Sequence, residues 1–365
     1  MFLKIADKEN CKINAELLEK TMNQIKYLLF ILISIVCVET NFAQINQDIT
    51  RVGTTAAQVL KITPGARALG MGTAYVGVSD DIYSTYFNPA GLTRSKGNSQ
   101  VAFNHSSWLA DINYDFAAAS INVDELGTLF ATFSSLRVPK DEVRTFEYPE
   151  GDGRTWDANS LVIGVGYARS LTDRFSVGFH FKYVQESIWN SSASGIALDI
   201  GTYYITPFND LVIGASISNF GTKMQLDGRD LQINIDPNDS PESGPNNIPG
   251  QYATETNDLP LNFRVGLAMN VVDTRYFRVK AAVDAVHPND NKEYLNTGLE
   301  FSYNSMVFLR GGFKSLFMPN SEQGLTLGFG INYNLTPELE FTFNYAYADY
   351  NRLTNIQYFD IGLIF

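Results

Sequence analysis

Short segments in which every second side chain is apolar occupy this chain from about residue 99 to its end. Residues 174–187 and 324–333 are clear examples, with Phe, Val, Leu and Tyr alternating with Gly, Ser and Asn. A period of two places the two sets on opposite faces of a β-strand. No helical pattern of comparable length follows residue 95. The alternation therefore predicts an all-β protein.

The segments number fourteen and are about ten residues long. We predict fourteen strands, at 99–106, 113–122, 127–137, 159–169, 174–187, 195–206, 211–220, 261–271, 276–286, 294–303, 306–315, 324–333, 338–349 and 356–365.

The connections between these segments alternate in length. Turns such as 170–173, 207–210 and 336–337 are short, and the links 138–158 and 221–260 are long. This layout, with an even strand number, is typical of a transmembrane β-barrel of the outer membrane. A soluble β-sandwich is the alternative, but its connections need not alternate and it would bury its aromatic residues. Here the aromatic residues gather at strand ends, as membrane girdles do. We predict a 14-stranded antiparallel transmembrane β-barrel.

The N-terminus carries a targeting pattern. Residues 27–38 form an apolar run that follows Lys26 and precedes a small residue, Ala43. A basic residue, a short apolar core and a small residue near the exit are typical of a secretory signal peptide. The run is too short to span a bilayer comfortably as a helix. We assign 1–43 to an upstream extension plus signal peptide, with Met22 as the natural start of that peptide.

Composition limits the chemistry available to the exported chain. Cys11 and Cys37 both lie in the segment to be removed, and the whole sequence has 3 His residues. This leaves little for a metal site or a cysteine nucleophile, so we expect no metal and no cofactor. A formal net charge of −12 argues against nucleic acid as a partner, because phosphate binding needs clustered Lys and Arg.

The last strand ends on an aromatic residue at the C-terminus. One face of this strand carries Phe359, Ile361, Leu363 and Phe365. Such an ending resembles the signal by which outer-membrane barrels are recognised for insertion. A bilayer tolerates no open strand edge, so the last strand has to pair with the first. We expect these residues to close the barrel, which occupies 99–365, with outer-membrane lipid around it.

Residues 44–98 do not alternate cleanly and form a separate N-terminal hatch segment. Residues 65–74 are rich in Gly and Ala, which allow close backbone packing. Asp80 is placed to cap a short helix at 81–87. A turn follows at Asn88, Pro89, Ala90 and Gly91. The segment is either a packed plug that seals the barrel or a movable hatch over a path for ligands.

Residues 65–92 resemble the N-terminal signature of the PorV/PorQ family of Bacteroidetes outer-membrane proteins. That family is similar to the FadL fatty-acid transporters, whose hatch shares the Asn-Pro-Ala element. The resemblance implies a FadL-like barrel in the outer membrane of a Gram-negative, Bacteroidetes-like bacterium and a role in type IX secretion. It implies binding of cargo C-terminal signal domains or of surface attachment proteins. The alternative function is a diffusion transporter for hydrophobic small molecules.

Charged residues of both signs share the face that should point into the lumen. They either pair and brace the wall or line a substrate path, and fourteen strands enclose more volume than side chains alone fill. A charged lumen, rather than a greasy one, favours a protein platform. The residues are Lys182, Arg264, Arg278, Lys280, Asp284, Glu300, Arg310, Lys314, Glu340 and Asp360.

No positive sign of catalysis is present. His105 is followed by Ser106, but neighbours on a strand point to opposite faces, so adjacency does not make a catalytic dyad. We expect no enzyme activity. Loop 221–260 is acidic and contains Asp236, Asn238 and Asp239, which are calcium-type oxygen ligands without the regular loop spacing. A long loop on a rigid scaffold is where a protein partner would dock.

Overall fold

The computed structural model describes residues 51–236, 248–319, 321–353 and 355–365. The predicted extension and signal peptide, with Met22, Ala43 and both cysteines, lie outside the described residues. So do residues 44–50 of the hatch segment and the loop residues Asn238 and Asp239.

Fourteen antiparallel strands form the wall of a closed barrel, which confirms the predicted fold class. Their apolar faces alternate with small or polar faces, as expected for a wall between lipid and lumen. The strands are β1 (Ser99–Ser107), β2 (Asn113–Val123), β3 (Gly127–Glu142), β4 (Thr155–Ser170), β5 (Phe175–Ile188), β6 (Ser191–Ile205), β7 (Val212–Gly221), β8 (Asn262–Asp273), β9 (Phe277–Pro288), β10 (Tyr294–Tyr303), β11 (Val307–Leu316), β12 (Leu325–Thr336), β13 (Leu339–Asp349) and β14 (Asn355–Ile364).

Strand β14 returns to pair with β1 and closes the barrel. The ladder runs in register from Gln100 opposite Ile364 to Ser107 opposite Gln357. Phe365 extends it, since its N–H donates to the carbonyl of Ser99 at 2.9 Å. Closure satisfies the strand edges that a bilayer could not hydrate.

The two faces of β14 separate apolar from polar side chains. The four residues predicted to close the barrel, Phe359, Ile361, Leu363 and Phe365, are exposed on the outer surface. Asp360, between the first two, is buried in the lumen. The C-terminal strand therefore presents its apolar side to lipid and its acid to the interior.

The two ends of the barrel differ. Short turns and Phe365 share one end, which we call the turn end; such turns face the periplasm in outer-membrane barrels. The opposite, loop end carries residues 143–154, 222–236 and 248–261. The expected link 138–158 is too long, because β3 and β4 continue as a polar hairpin beyond the membrane. The irregular pairing between Val138 and Asp141 interrupts the apolar alternation there.

Residues 51–98 fill the lumen, and we call them the plug. The plug contains the 3-10 turns Gln58–Lys61 and Pro89–Arg94 and the short helices α1 (Ala66–Gly70) and α2 (Ser84–Phe87). Most of its apolar side chains are almost fully buried; they include Leu69, Met71, Tyr75, Val76, Phe87 and Leu92. No helix among the described residues is long and apolar enough to cross a membrane.

The short helix of the plug differs from the expected one. It covers Ser84–Phe87 rather than 81–87, and no side chain caps its first turn. Asp80 does not cap it because its carboxylate binds Arg67 and Lys280. Asp81 instead accepts the backbone N–H of Tyr83 at 3.0 Å.

The described part of loop 222–261 is folded on the rim of the barrel. Gln232–Ile235 pairs with Ile248–Gln251, and we call these two strands the loop hairpin. Nearer the wall, Met224–Gln225 pairs with Thr256–Asn257. Met224 is buried, so the base of the loop belongs to the barrel core while the hairpin projects from it.

Candidate functional site

The hatch motif is packed on the inner surface of β5, β6 and β7. The side-chain amide of Asn88 donates to the carbonyls of Val76 at 3.1 Å and Thr202 at 2.9 Å. A Cβ atom at Gly201 would lie 2.2 Å from Oδ1 of Asn88, and one at Gly178 would lie 2.4 Å from the Ala90 nitrogen. The wall has glycine where the motif touches it, and sequence analysis did not identify these two glycines.

Gly91 completes the motif by allowing two plug segments to approach each other. A Cβ atom there would lie 2.1 Å from the carbonyl oxygen of Ser79. Pro89 and Ala90 are fully buried beside it. The motif therefore forms a docked turn.

A charged cluster joins the plug to β10 and β11. Arg67 binds Glu300 through two hydrogen bonds, from Nε at 2.8 Å and from Nη2 at 2.9 Å. Arg310 donates to the same carboxylate at 2.7 Å. All three side chains are largely buried. This cluster pairs two of the predicted lumenal residues with an arginine of the plug.

Asp80 extends the cluster to β9. Its two oxygens accept hydrogen bonds of 2.6 Å from Arg67 and 2.6 Å from Lys280. Burial alone raises the pKa of the Asp80 carboxyl, but Arg67 and Lys280 outweigh it and bring the pKa to about 2. Asp80 is therefore ionised at neutral pH and holds the plug to the wall electrostatically.

Two wall carboxylates bind the plug backbone. Asp284 of β9 accepts the N–H groups of Tyr75 at 2.7 Å and Val76 at 2.9 Å. Asp360 of β14 accepts the N–H of Ala66, at the start of α1, at 2.7 Å. Each acid satisfies backbone donors that would otherwise be buried without a partner.

A second buried cluster braces β5 against β6. Lys182 binds Asp199 at 2.7 Å, and the imidazole of His180 lies 3.4 Å from the same carboxylate. Asn219 also accepts from Lys182, at 2.5 Å. Asp199 was not among the predicted lumenal residues, although it lies between two outward apolar residues of β6 and its inward direction follows from the alternation.

The remaining predicted lumenal residues lie elsewhere. Glu340 accepts a 2.6 Å hydrogen bond from Asn332 near the turn end. Arg278 pairs with Asp273 at 3.0 Å, and both are half-exposed. Arg264 stacks on the Tyr86 and Phe87 rings of the plug, at 5.4 and 5.6 Å. Lys314 points into a cavity at the loop end.

Two cavities flank the plug. The cavity at the turn end measures about 280 Å³ and is lined by Arg67, Asp80 and Arg310. The cavity at the loop end measures about 410 Å³ and is lined by Leu60 and Phe87 of the plug. Since the plug lines both, it lies between them and divides the lumen.

The histidines are paired with carboxylates at separate places. His105 lies 2.7 Å from Asp115, and His287 lies 2.9 Å from Glu293. Ser106 is buried on the opposite face from His105. Within the described ranges, no group of three or more His, Asp or Glu residues is placed to hold a metal ion.

A closed 14-stranded barrel with an N-terminal plug defines the class of FadL-like outer-membrane proteins, and solved structures share this fold. CymD, a monoaromatic hydrocarbon channel, aligns with TM-score 0.52 and 13% identity over 82% of this chain and 96% of its own. The Pseudomonas putida toluene transporter TodX gives 0.51 and 14% over the same shares. A Pseudomonas aeruginosa FadL homologue gives 0.50 and 10% over 83% and 98%.

The sequence assigns the chain to a family within this class. The profile of a family described as type IX secretion system protein PorV matches residues 44–287. The chain belongs to the PorV family, which indicates an outer-membrane role in type IX secretion. No curated protein matches the sequence.

Proposed function

We propose that this protein is a platform for type IX secretion in the outer membrane of a Bacteroidetes-like bacterium. On this proposal it binds a polypeptide at its loop end, either the C-terminal signal domain of exported cargo or a surface attachment protein. The observation that carries the proposal is the anchoring of the plug. An anchored plug closes the lumen, so the loop end is the surface available to bind a polypeptide.

Moving the plug out of the lumen would cost free energy, because it would break buried polar contacts. Glu300, Asp284 and Asp360 are buried, and each binds the plug, Glu300 through Arg67 and the two aspartates through backbone N–H groups. Withdrawing the plug would break the buried ion pair of Arg67 and Glu300, a loss of about 3–5 kcal/mol, and would remove backbone hydrogen bonds from both aspartates. A conduit would meet such a cost at every opening, whereas a platform keeps its plug in place.

The loop end carries exposed apolar side chains in water, beyond the wall. Ile235 and Ile248 face each other on the loop hairpin, and Tyr252 follows them. Phe146 and Tyr148 project from the neighbouring link 143–154. Exposed apolar and aromatic residues above the membrane indicate a protein-binding surface, because tyrosines and other large side chains dominate such interfaces.

Removal of the loop hairpin tests the proposal. The N–H of Tyr252 donates to the carbonyl of Leu231 at 2.8 Å, the spacing that a two-residue turn closes. Replacing residues 232–251 with Asn-Gly therefore removes the hairpin and keeps the buried Met224 and Leu259. We expect loss of polypeptide partners from the affinity-purified protein, with the amount of folded barrel unchanged.

A matched pair of point variants provides the control. Tyr252→Ser removes an exposed tyrosine at the loop end, and Tyr333→Ser removes one at the turn end. The first change should weaken partner recovery and the second should not. The platform would be contradicted if the two tyrosine variants recovered equal amounts of partner and the protein without the hairpin recovered as much partner as the wild type.

The alternative is diffusion transport of hydrophobic small molecules, favoured by the fold shared with the hydrocarbon channel and the toluene transporter. Its test is Asn88→Ala, which removes the hydrogen bonds that hold the hatch turn. If that change alters toluene uptake while hairpin removal leaves every partner bound, the alternative stands and the platform is wrong.

A further inference from the structure

The cavity at the loop end is a blind vestibule. Plug residues Leu60 and Phe87 line its floor, and Trp108 and Tyr350 line it near the rim. Its volume of about 410 Å³ lies in the range of about 300–1,000 Å³ that is usual for ligand sites. Because the plug forms its floor, a ligand would reach it from the loop end without crossing the barrel.

Two cations line the vestibule without an acidic partner. Within the described residues, neither Lys314 nor Arg264 has a carboxylate oxygen within 4.0 Å. Lys314 is only 8% exposed. The lumenal cations Lys182, Lys280 and Arg310, by contrast, are each bound to an acid.

Each acid of the vestibule has a cation of its own. Oδ2 of Asp290 accepts from Lys61 at 2.6 Å and from Thr55 at 2.8 Å, while Oδ1 is buried without a hydrogen bond from the described residues. Glu322 lies 3.5 Å from Arg352 at the rim. Neither carboxylate lies within 4.0 Å of Lys314 or Arg264. Asp284 attracts Arg264 but binds the plug backbone, so the vestibule retains the positive charge of Lys314.

The fold holds Lys314 in this position. The pairing of β10 with β11 shifts register between Leu295 and Thr297, a bulge that turns both Lys314 and Ser315 inward. The side chain of Asn296 fixes the bulge by accepting the N–H of Ser315 at 2.9 Å. Bulges commonly redirect a side chain toward a functional site.

Neutral polar groups in the vestibule also lack partners. Among the described residues, the Tyr350 hydroxyl and the Asn262 side-chain oxygen have no hydrogen-bond partner, and both are buried. Buried cations and polar groups without partners cost free energy. A ligand that accepts hydrogen bonds from Lys314, Arg264 and Tyr350 would recover that cost.

We propose that the vestibule binds a carboxylate group of the polypeptide partner, with Lys314 and Arg264 as its counter-ions. This inference rests on the proposed function and names the chemistry of the group recognised. The formal net charge of −12 repels acidic chains elsewhere on the protein, so two cations in a polar cavity select where a carboxylate can bind. A small amphiphilic carboxylate offers the same chemistry from another source.

Calorimetry on the full chain in neutral detergent tests the site. The probes are N-acetyl-triglycine, its C-terminal amide and octanoate. We expect the N-acetyl-triglycine carboxylate to bind at least tenfold more tightly than its amide. Lys314→Met and Arg264→Met should each weaken that binding at least tenfold. Lys223→Met, which removes an exposed lysine from the same end outside the cavity, should leave it unchanged.

The thermal midpoint of each variant shows whether a loss of binding comes from a loss of folding. Lys314→Met removes a buried cation, and no carboxylate loses an ion-pair partner by this change. The thermal midpoint of the variant should therefore equal or exceed that of the wild type. If it fails to fold, Lys314→Gln provides the same test. Equal binding of the peptide and its amide, or of the wild type and both methionine variants, would overturn the site. Binding of octanoate alone would overturn the polypeptide source.

The proposed function does not depend on the vestibule being a carboxylate site. If Lys314→Met retains all polypeptide partners while removal of the loop hairpin loses them, the platform holds and the vestibule is not its carboxylate site. If both changes leave the partners bound, the platform itself is wrong.

Discussion

The guanidinium of Arg67 and the carboxylate of Glu300 form a two-point ion pair between the plug and the barrel wall, with hydrogen bonds of 2.8 and 2.9 Å. Parallel bonds of this kind fix orientation as well as distance. The plug is therefore held in one position relative to β10. Its hydrogen bonds to Asp284 of β9 and Asp360 of β14 fix the same position.

Loss of this pair should loosen the plug. Arg67→Met leaves Glu300 with Arg310 alone and leaves Asp80 with Lys280 alone, so we expect destabilisation toward the lower end of about 3–5 kcal/mol. Denaturant unfolding in detergent micelles, followed by gel mobility, measures it. Arg137→Met breaks an exposed pair with Asp115 and should cost only about 0–1 kcal/mol. Similar losses in the two variants would show that the pair does not anchor the plug.

The wall glycine beneath the hatch motif should be intolerant of a methyl group. Gly201→Ala would place Cβ 2.2 Å from Oδ1 of Asn88, so the turn has to shift or fail to dock. We expect a lower yield of folded barrel and faster proteolysis of residues 51–98. Gly311→Ala is the control, because the nearest atom to its Cβ would be a leucine side chain at 3.9 Å. Equal behaviour of the two variants would contradict close packing of the motif.

Much of the fold follows from the sequence, since the period of two locates all fourteen strands and the face of each. Loop lengths are harder, because β3 and β4 extend as a polar hairpin where the apolar signal has ended. The site is harder still. Arg67 and Glu300 are 233 residues apart, and only the assembled barrel brings them together. Inward parity identified Glu300 but could not name its partner in a segment without periodicity.

Acid should weaken the anchor at Asp80. Its folded pKa of about 2 lies below the value of about 3.9 usual for an unfolded chain, so its contribution is present above pH 4. That contribution fades as the pH falls toward 2. Asp80→Asn should therefore have a lower thermal midpoint than the wild type at pH 6, and the difference should shrink by pH 2.5. A difference that stays constant with pH would contradict the ionised anchor.

The C-terminal residue should matter for assembly. Phe365 hydrogen-bonds Ser99 across the seam and exposes its ring to lipid. Its deletion should lower the amount of heat-modifiable barrel in the outer membrane, because the closing strand loses both its last ladder contact and its terminal aromatic residue. Phe146→Ser, which removes an exposed aromatic residue from a loop, should not. Unchanged barrel levels after the deletion would argue against this role.

Photo-crosslinking in living cells tests the platform most directly. A photoreactive phenylalanine analogue replaces Tyr252 at the loop end or Tyr333 at the turn end, both exposed in the structure. The account predicts that position 252 forms a covalent adduct with an exported protein, mapped by mass spectrometry to its C-terminal signal domain or to a surface attachment protein. Position 333 should yield no such adduct. Adducts that are no more frequent at 252 than at 333 would contradict polypeptide binding at the loop end.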